Sequence, residues 1–343
     1  MLALAYRGQG RLSVEETPAL TPGPDEARVR VHAVGLCTSD VYGVSGVNDR
    51  RDVVLGPGDT LVMGHEAAGH VAGAPAGTGA GVQPGAPVVV NPIRGCGACA
   101  DCAVGAANVC ARRRVYGCLP ALPGAYADEL VVPAANLHPF AGPAPLEWGA
   151  LVEPIAVGAH GVRLAGVARG DELLVVGGGM IGLGAALSAA RRGAEPLVLE
   201  PRPERRALAA RLGLRAAAPS AVLGSGARFA AAVDCVARPE TLAGAVAAVG
   251  RRGTVVLVGI WADEIPLPVS AVVAAETRIV GSYAFTDAEF ADVAGWVASG
   301  VVDLGPLIEH RTGWDDLVDA FSGYADGSLT AVRTLFRPGG PTP

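Results

Sequence analysis

Four thiols fall within fifteen residues as Cys96-x2-Cys99-x2-Cys102-x7-Cys110. Two-residue spacers let successive thiolates face one centre, and a closed tetrahedral sulfur set is what a structural zinc requires. An iron–sulfur cluster uses the same ligand type and is the alternative. Arg112, Arg113 and Arg114 follow at once, where they would ease the negative charge of a tetrathiolate metal. A second, dispersed set, Cys37, His65, Glu66 and Glu153, offers the mixed sulfur, nitrogen and oxygen donors of a catalytic zinc with an open position. It is a site only if the fold gathers it, since each member singly also reads as an ordinary core or surface residue.

A third constellation is Val175-Val176-Gly177-Gly178-Gly179-Met180-Ile181-Gly182, an apolar run passing through G-x-G-x-x-G into a helical stretch. Here Gly177 permits the tight turn, Gly179 admits a pyrophosphate to the backbone at Met180 and Ile181, and Gly182 allows close helix–strand contact. Glu200 closes the next apolar run, where it would accept hydrogen bonds from a ribose. A carboxylate there repels a 2′-phosphate and favours NAD over NADP, while Arg202 and Arg205 keep NADP as the alternative.

The elements that position these groups fall into two textures. Residues 1–150 are rich in Gly, Pro and short β-branched runs and read as an irregular β domain. From about residue 151, short apolar runs alternate with Ala-rich helical stretches, the pattern of a parallel sheet flanked by helices. Strands are expected near Leu173–Val176, Leu197–Leu199, Val233–Val236 and Val255–Val258, with helices starting near Met180, Pro203 and Pro239. Thr286 and Glu289 form a capping box for a helix through Ser299. The last forty residues, with strand-like Ala331–Phe336, break the alternation and are expected to return to the first domain.

Composition narrows the function. All 27 basic residues are arginine, which excludes Schiff-base, pyridoxal-phosphate and P-loop lysine chemistry. A net charge of -6 argues against nucleic acid as a partner. Leu173–Ala190 carries no charge over eighteen residues, but its five glycines argue against a membrane span. Charges at Arg7 and Arg11 interrupt any export signal, so a cytoplasmic location is expected, and the seven cysteines then read as metal or catalytic groups rather than disulfides.

In this order, Gly35-Leu36-Cys37-Thr38-Ser39-Asp40, Gly64-His65-Glu66-Ala67-Ala68-Gly69, the four-cysteine lobe, Glu153-Pro154 and the glycine fingerprint resemble the zinc-dependent medium-chain dehydrogenase/reductase family across nearly the whole chain. The resemblance implies an α/β protein: a GroES-like β domain (1–150, with a structural zinc lobe at 94–112), a doubly wound Rossmann domain (151–285) and a returning segment (286–343). It implies two zincs per chain, NAD, a small alcohol or ketone substrate, and a homodimer or homotetramer. Cys37 and His65 would ligate the catalytic zinc, with Glu66 or Glu153 completing the set. Glutamate at the position of Glu153, where alcohol dehydrogenases have cysteine, is similar to the polyol subfamily. Asp40 would orient His65, and Ser39 would take the substrate proton. Tyr42 stands where the family often has a histidine, and Ala284 where sorbitol dehydrogenases have an arginine; Tyr283 and Phe285 beside it suggest an apolar pocket, with Trp261 and Trp314 as pocket or core residues. Arg333 reads as a pyrophosphate ligand or an exposed strand arginine. The expected function is interconversion of a secondary alcohol, polyol or cyclitol with its ketone, against an NADPH-linked reductase or a non-catalytic zinc- and nucleotide-binding protein.

Overall fold

The computed structural model describes residues 1–45, 55–56, 58–260 and 264–340. Two compact units divide the chain, one from Met1–Glu153 and Thr286–Pro343, the other from Pro154–Phe285. The first opens with β1 (Leu2–Tyr6), β2 (Leu12–Glu16), β3 (Glu26–Gly35), α1 (Thr38–Ser45), β4 (Leu61–Val62), β5 (Ala67–Gly73) and β6 (Pro87–Val90). It continues through β7 (Ile93–Arg94), α2 (Ala100–Ala103), β8 (Arg114–Val115), β9 (Glu129–Pro133) and β10 (Leu137–Pro139) to the start of α3 (Val152–Ala165).

The second unit runs β11 (Glu172–Val176), α4 (Met180–Arg191), β12 (Glu195–Leu199), α5 (Pro203–Arg211), β13 (Arg215–Ala217) and α6 (Pro219–Val222). Then come β14 (Phe229–Asp234), α7 (Pro239–Ala248), β15 (Val249–Leu257), α8 (Val269–Ala275) and β16 (Arg278–Gly281). The chain re-enters the first unit with α9 (Asp287–Ala298), β17 (Ile308–Thr312), α10 (Leu317–Asp326) and β18 (Arg333–Phe336).

In the first unit the main sheet has the order β10-β6-β5-β3-β18-β17, with β9 also paired to β3. Over Glu26–Val31 of β3 inward and outward residues alternate, the period-2 pattern of a sheet with one face in the core. Its far end meets β18, where Leu335 and Phe336 lie opposite Gly35 and Val34. The last forty residues therefore complete the sheet that carries the first candidate ligands. Tyr126, Phe321 and Phe336 anchor this core, and Trp314 packs edge-on against Phe336 with ring centroids 4.6 Å apart, which makes it a core residue.

The second unit is a six-stranded, all-parallel sheet in the order β13-β12-β11-β14-β15-β16. β11 is buried on both faces from Leu173 to Val176, as a central parallel strand must be when helices cover both sides. Chain order reverses between β11 and β14, the switch point of a doubly wound sheet. Pro203 and Pro239 each open a helix, where a missing N–H costs nothing. Thr286 caps α9, accepting from the Glu289 amide at 3.3 Å while Glu289 accepts from the Thr286 amide at 2.8 Å. β14 stops at Asp234 rather than Val236, because the Asp234 carboxylate accepts from the amides of Val236 and Ala237 and turns the chain, and β15 starts six residues earlier than expected, at Val249. The uncharged stretch 173–190 divides into β11, the glycine turn and α4, and no helix among the described residues is long and apolar enough to cross a membrane.

Candidate functional site

Three segments of the first unit bring the dispersed ligand set together. Cys37 lies between β3 and α1, His65 and Glu66 immediately precede β5, and Glu153 sits in the first turn of α3. Cys37, His65 and Glu66 each offer a donor atom within 4.8 Å of the others, whereas Glu153 lies outside that set. Glycine makes the approach possible: a Cβ on Gly35 would stand 2.0 Å from Glu66 Oε2, and one on Gly64 would stand 2.8 Å from the Tyr126 amide. Asp40, 1% exposed, faces His65 Nδ1 at 3.3 Å, so the other ring nitrogen remains for a ligand. The Ser39 hydroxyl donates to Cys37 Sγ at 2.8 Å.

The electrostatics are those of a crowded, buried set of acids. Burial favours neutral His65, but the charge of Asp40 and its hydrogen bond, with help from Cys37, outweigh burial and hold the imidazole well above its ordinary value. Burial pushes Glu153 up to about 7, with Glu66 adding to the effect and His65 and Arg333 opposing it. Glu66 Oε2 forms an ion pair with Arg333 Nη1 at 2.6 Å, but neither buried oxygen of the carboxylate has a hydrogen-bond donor among the described residues, and Oε1 lacks even the ion pair. A buried carboxylate oxygen without a donor, beside a thiol and an imidazole, fits a divalent cation.

The cysteine lobe is equally well formed. The four sulfurs lie within 4.8 Å of one another, and Cys99 and Cys110 are 3.7 Å apart. Tetrahedral thiolates at a Zn–S distance of about 2.3 Å stand roughly 3.8 Å apart. Gly95 has no room for a side chain, since a Cβ would stand 2.7 Å from Cys102 Sγ. The Ala98 backbone amide, with smaller help from Arg112 and the neighbouring thiols, lowers Cys96 to about 6, and the Cys96 amide lowers Cys110. Of the three arginines that follow the lobe, Arg112 interacts with the Cys96 sulfur. Arg113 instead reaches the Cys110 carbonyl at 3.5 Å, and Arg114 is an exposed residue of β8 paired with β7.

In the second unit, Gly177 leaves β11 with φ +101°, and a Cβ there would stand 2.7 Å from Val236 Cγ2. A Cβ on Gly182 would stand 1.9 Å from the Gly177 carbonyl oxygen. At Gly179, by contrast, a Cβ would meet only Arg205 Nη1, at 3.6 Å. The protein's own packing therefore explains Gly177 and Gly182 but not Gly179, whose bare backbone at the start of α4 is a cradle for a phosphate. Met180 and Ile181 follow as the first two helical residues, whose amides lack intrahelical acceptors. Glu200 is 4% exposed; its Oε2 accepts from the Gly178 amide at 2.9 Å and its Oε1 from the Arg202 amide at 3.0 Å.

Several expectations need correction. Arg333 is not an exposed strand arginine: it is 3% exposed, with Nη1 2.6 Å from Glu66 Oε2 and donating to the Leu36 carbonyl, because β18 lies beside β3 inside the sheet. Phe285 is 1% exposed and belongs to the core, which leaves Tyr283, 39% exposed, as the accessible aromatic of that segment. Trp261 lies outside the described residues. Tyr126 escaped notice in the sequence, where Gly124-Ala125-Tyr126 carries no motif; its buried hydroxyl lies 2.9 Å from the Gly35 carbonyl and 3.1 Å from Asp40 Oδ2.

Comparison with known proteins agrees with this geometry. Residues 23–142 match the family model of an alcohol dehydrogenase GroES-like domain, and residues 181–299 that of a zinc-binding dehydrogenase. The chain is 31% identical to 2-dehydro-3-deoxy-L-galactonate 5-dehydrogenase of Pseudoalteromonas atlantica, over 98% of each protein. It is also 31% identical to sorbitol dehydrogenase of Arabidopsis thaliana, over 93% of this chain and 91% of that protein. Among solved structures, a protein described as a zinc-binding dehydrogenase from Sinorhizobium meliloti, bound to NADP, superposes with a TM-score of 0.89 at 26% identity, covering 98% of this chain and 99% of that one. A GroES-like domain and a Rossmann sheet define a dehydrogenase with an alcohol/ketone oxidoreductase activity. The chain belongs to the zinc-dependent medium-chain dehydrogenase/reductase family.

Proposed function

We propose that the chain is an NAD(H)-linked dehydrogenase for a polyhydroxylated secondary alcohol, a polyol, cyclitol or sugar acid, with one catalytic and one structural zinc per chain. The observation that carries this reading is the gathered set Cys37, His65 and Glu66 with its donorless Glu66 Oε1. Cys37 Sγ, the outer nitrogen of His65 and Glu66 Oε1 would hold the catalytic ion, with Glu153 as the neighbouring carboxylate, and the four-cysteine lobe would hold the other. When bound, zinc lowers the pKa of a coordinated hydroxyl toward neutrality and nicotinamide supplies the hydride acceptor.

The protein's own groups do the rest. Asp40 fixes the His65 tautomer through Nδ1 and raises its basicity as a ligand. The Ser39 hydroxyl, which donates to Cys37 Sγ, would accept the proton of a substrate hydroxyl as its own hydrogen turns to water. Tyr42 offers no imidazole and is 45% exposed, so onward proton transfer runs to water. Residues 1–150 and 286–343 serve as the catalytic domain and 151–285 as the nucleotide domain.

Glu200 supports NAD, because a buried carboxylate bonded to the Gly178 amide repels a 2′-phosphate. NADP is the second reading, favoured by Arg202 Nε 3.4 Å from Glu200 and by the NADP-bound relative. The relatives' substrates, a deoxy sugar acid and sorbitol by their names, support a polyhydroxylated substrate, and the burial of Phe285 removes one argument for an apolar pocket. The edge of β16, unpaired among the described residues, and the exposed Val269 and Val273 of α8 support a homodimer or homotetramer. Retention of the thiolate lobe calls for a reducing compartment, consistent with the cytoplasm.

Reduced-nicotinamide absorbance, with NAD and NADP separately, tests the reading across vicinal diols, cyclitols, sugar acids and simple secondary alcohols. Turnover with NAD on a polyhydroxylated class, at two zincs per chain, is expected. Silence across the whole panel at that zinc content would refute it.

A further inference from the structure

The end of β14 carries a carboxylate that no part of the mechanism above uses. Asp234 is fully buried, yet no cation pairs with it among the described residues. Backbone and hydroxyl donors satisfy it instead. Oδ1 accepts from the amides of Val236 and Ala237 at 2.9 and 3.0 Å, and Oδ2 accepts from Thr241 Oγ1 at 2.8 Å. Thr241 in turn accepts from the Arg238 amide at 2.9 Å, so one carboxylate and one hydroxyl secure the donors of the whole turn into α7. The Asp234 carbonyl also accepts from Val258 and Gly259 beyond β15, and the Cys235 amide donates to Val176 at the end of β11.

This turn occupies a defined place. It lies at the carboxyl end of the sheet where β11 and β14 part, the crevice in which open α/β sheets bind ligands. It also packs directly on the glycine turn: Val236 Cγ2 is what a Cβ on Gly177 would strike at 2.7 Å, and Ala237 Cβ would stand 2.9 Å from one on Gly259. Ala237 has φ +57°, a left-handed conformation that alanine rarely adopts. Its amide is one of the two that Asp234 holds. Strained backbone kept by a buried clamp at a ligand crevice is how a binding surface is held in shape before the ligand arrives.

We propose that Asp234 is a positioning residue for the nucleotide: by clamping Cys235–Arg238 it sets the crevice wall opposite the glycine turn, and so sets cofactor affinity without touching the reacting atoms. The proposal rests on the reading of this crevice as the nucleotide site. Nucleotide dissociation constants from NADH fluorescence titration, together with separate KM and kcat values, test it in the zinc-loaded full chain. Asp234→Ala is expected to weaken NADH binding and raise the nucleotide KM at least about tenfold, a loss of about 1.4 kcal/mol, while kcat at saturating nucleotide stays within about threefold. Asp234→Asn keeps Oδ1 for the two amides and offers an N–H to Thr241, so it should stay within about threefold of the parent. Thr241→Val, which removes only the outer half of the clamp, should fall between them and serves if the alanine variant does not fold. Should Thr241→Val and any folded Asp234→Ala bind NADH as tightly as the parent while melting at lower temperature, the clamp is merely structural and the proposal falls. Absence of NADH and NADPH binding by the parent protein would instead overturn the crevice reading itself.

Discussion

Replacing Arg333 with methionine puts the charge balance of the first unit to a quantitative test. The Arg333 side chain is 4% exposed and that of Glu66 1%, and Nη1 lies 2.6 Å from Glu66 Oε2 and 2.7 Å from the Leu36 carbonyl. Removing one partner of such a pair leaves a buried charge uncompensated, at a cost of about 3–5 kcal/mol. Removing both, in Arg333→Met with Glu66→Gln, leaves mainly a repacking cost of about 1.5 kcal/mol or less. Urea unfolding of chelator-treated protein, followed by tryptophan fluorescence, reads the difference without a contribution from metal binding. Trp148, Trp296 and Trp314 all belong to the first unit. With a denaturant slope of about 2 kcal/mol per molar, the single variant should unfold about 1.5–2.5 M earlier. The double variant should recover to within roughly 0.8 M of the parent. Equal losses in the two variants would show that the arginine matters by packing rather than charge, and a single-variant shift below about 0.5 M would refute the reasoning altogether.

Three further outcomes are expected. Gly182→Ala places a methyl 1.9 Å from the Gly177 carbonyl and should weaken NADH binding at least about tenfold, as read by fluorescence titration, while two zincs per chain remain by elemental analysis. Cys99→Ser removes one of four sulfur ligands and should lower the zinc content from two to one per chain with a lower melting temperature; two retained zincs would contradict the lobe assignment. The hydrogen bonds from Arg311 hold Glu147 below the usual carboxylate range despite burial, so the folded state binds this proton less readily than the unfolded state. That contribution is present above the unfolded value of about 4.3 and is lost as pH falls through the folded value. Arg311→Met should therefore cost about 1–2 kcal/mol at pH 7 and progressively less as pH falls below about 4.3, in denaturation curves taken across that range.

What could be read from the sequence was what depends on local spacing. Two-residue spacers predict the thiolate lobe because neighbouring thiols need only a loop to converge, and the glycine fingerprint is legible because its spacing is local, Gly182 answering to the Gly177 carbonyl five residues before it. Helix starts at Pro203 and Pro239 follow the same rule. Contacts between distant segments were less accessible. Arg333 reads as exposed because its strand is short and lies at the end of the chain, and only the pairing of β18 with β3 turns it inward. Tyr126 shows no motif because its partners, Gly35 and Asp40, belong to the opposite end of the same unit. Asp234 did carry a signal, a single charge inside an apolar run, but its meaning depends on the two amides beyond it.

The placement of Arg333 ties the candidate metal centre to the whole of the first unit rather than to the segments that supply its ligands. Cys37, Asp40, Glu66 and Glu153 all come from the first 153 residues, and Asp40 and Glu66 are buried acids. Gly35 makes room for the Glu66 carboxylate, but space does not neutralise it. The counter-charge arrives from β18, after the chain has passed through the entire second unit. Until that strand docks, Glu66 is better kept in water than buried, so the ligand geometry and the seating of β18 should form together. Insertion of the Rossmann unit into the sequence of the β unit thus makes completion of the candidate metal centre conditional on the return of the chain, and a fragment ending before β17 lacks the cation that makes burial of Glu66 tolerable.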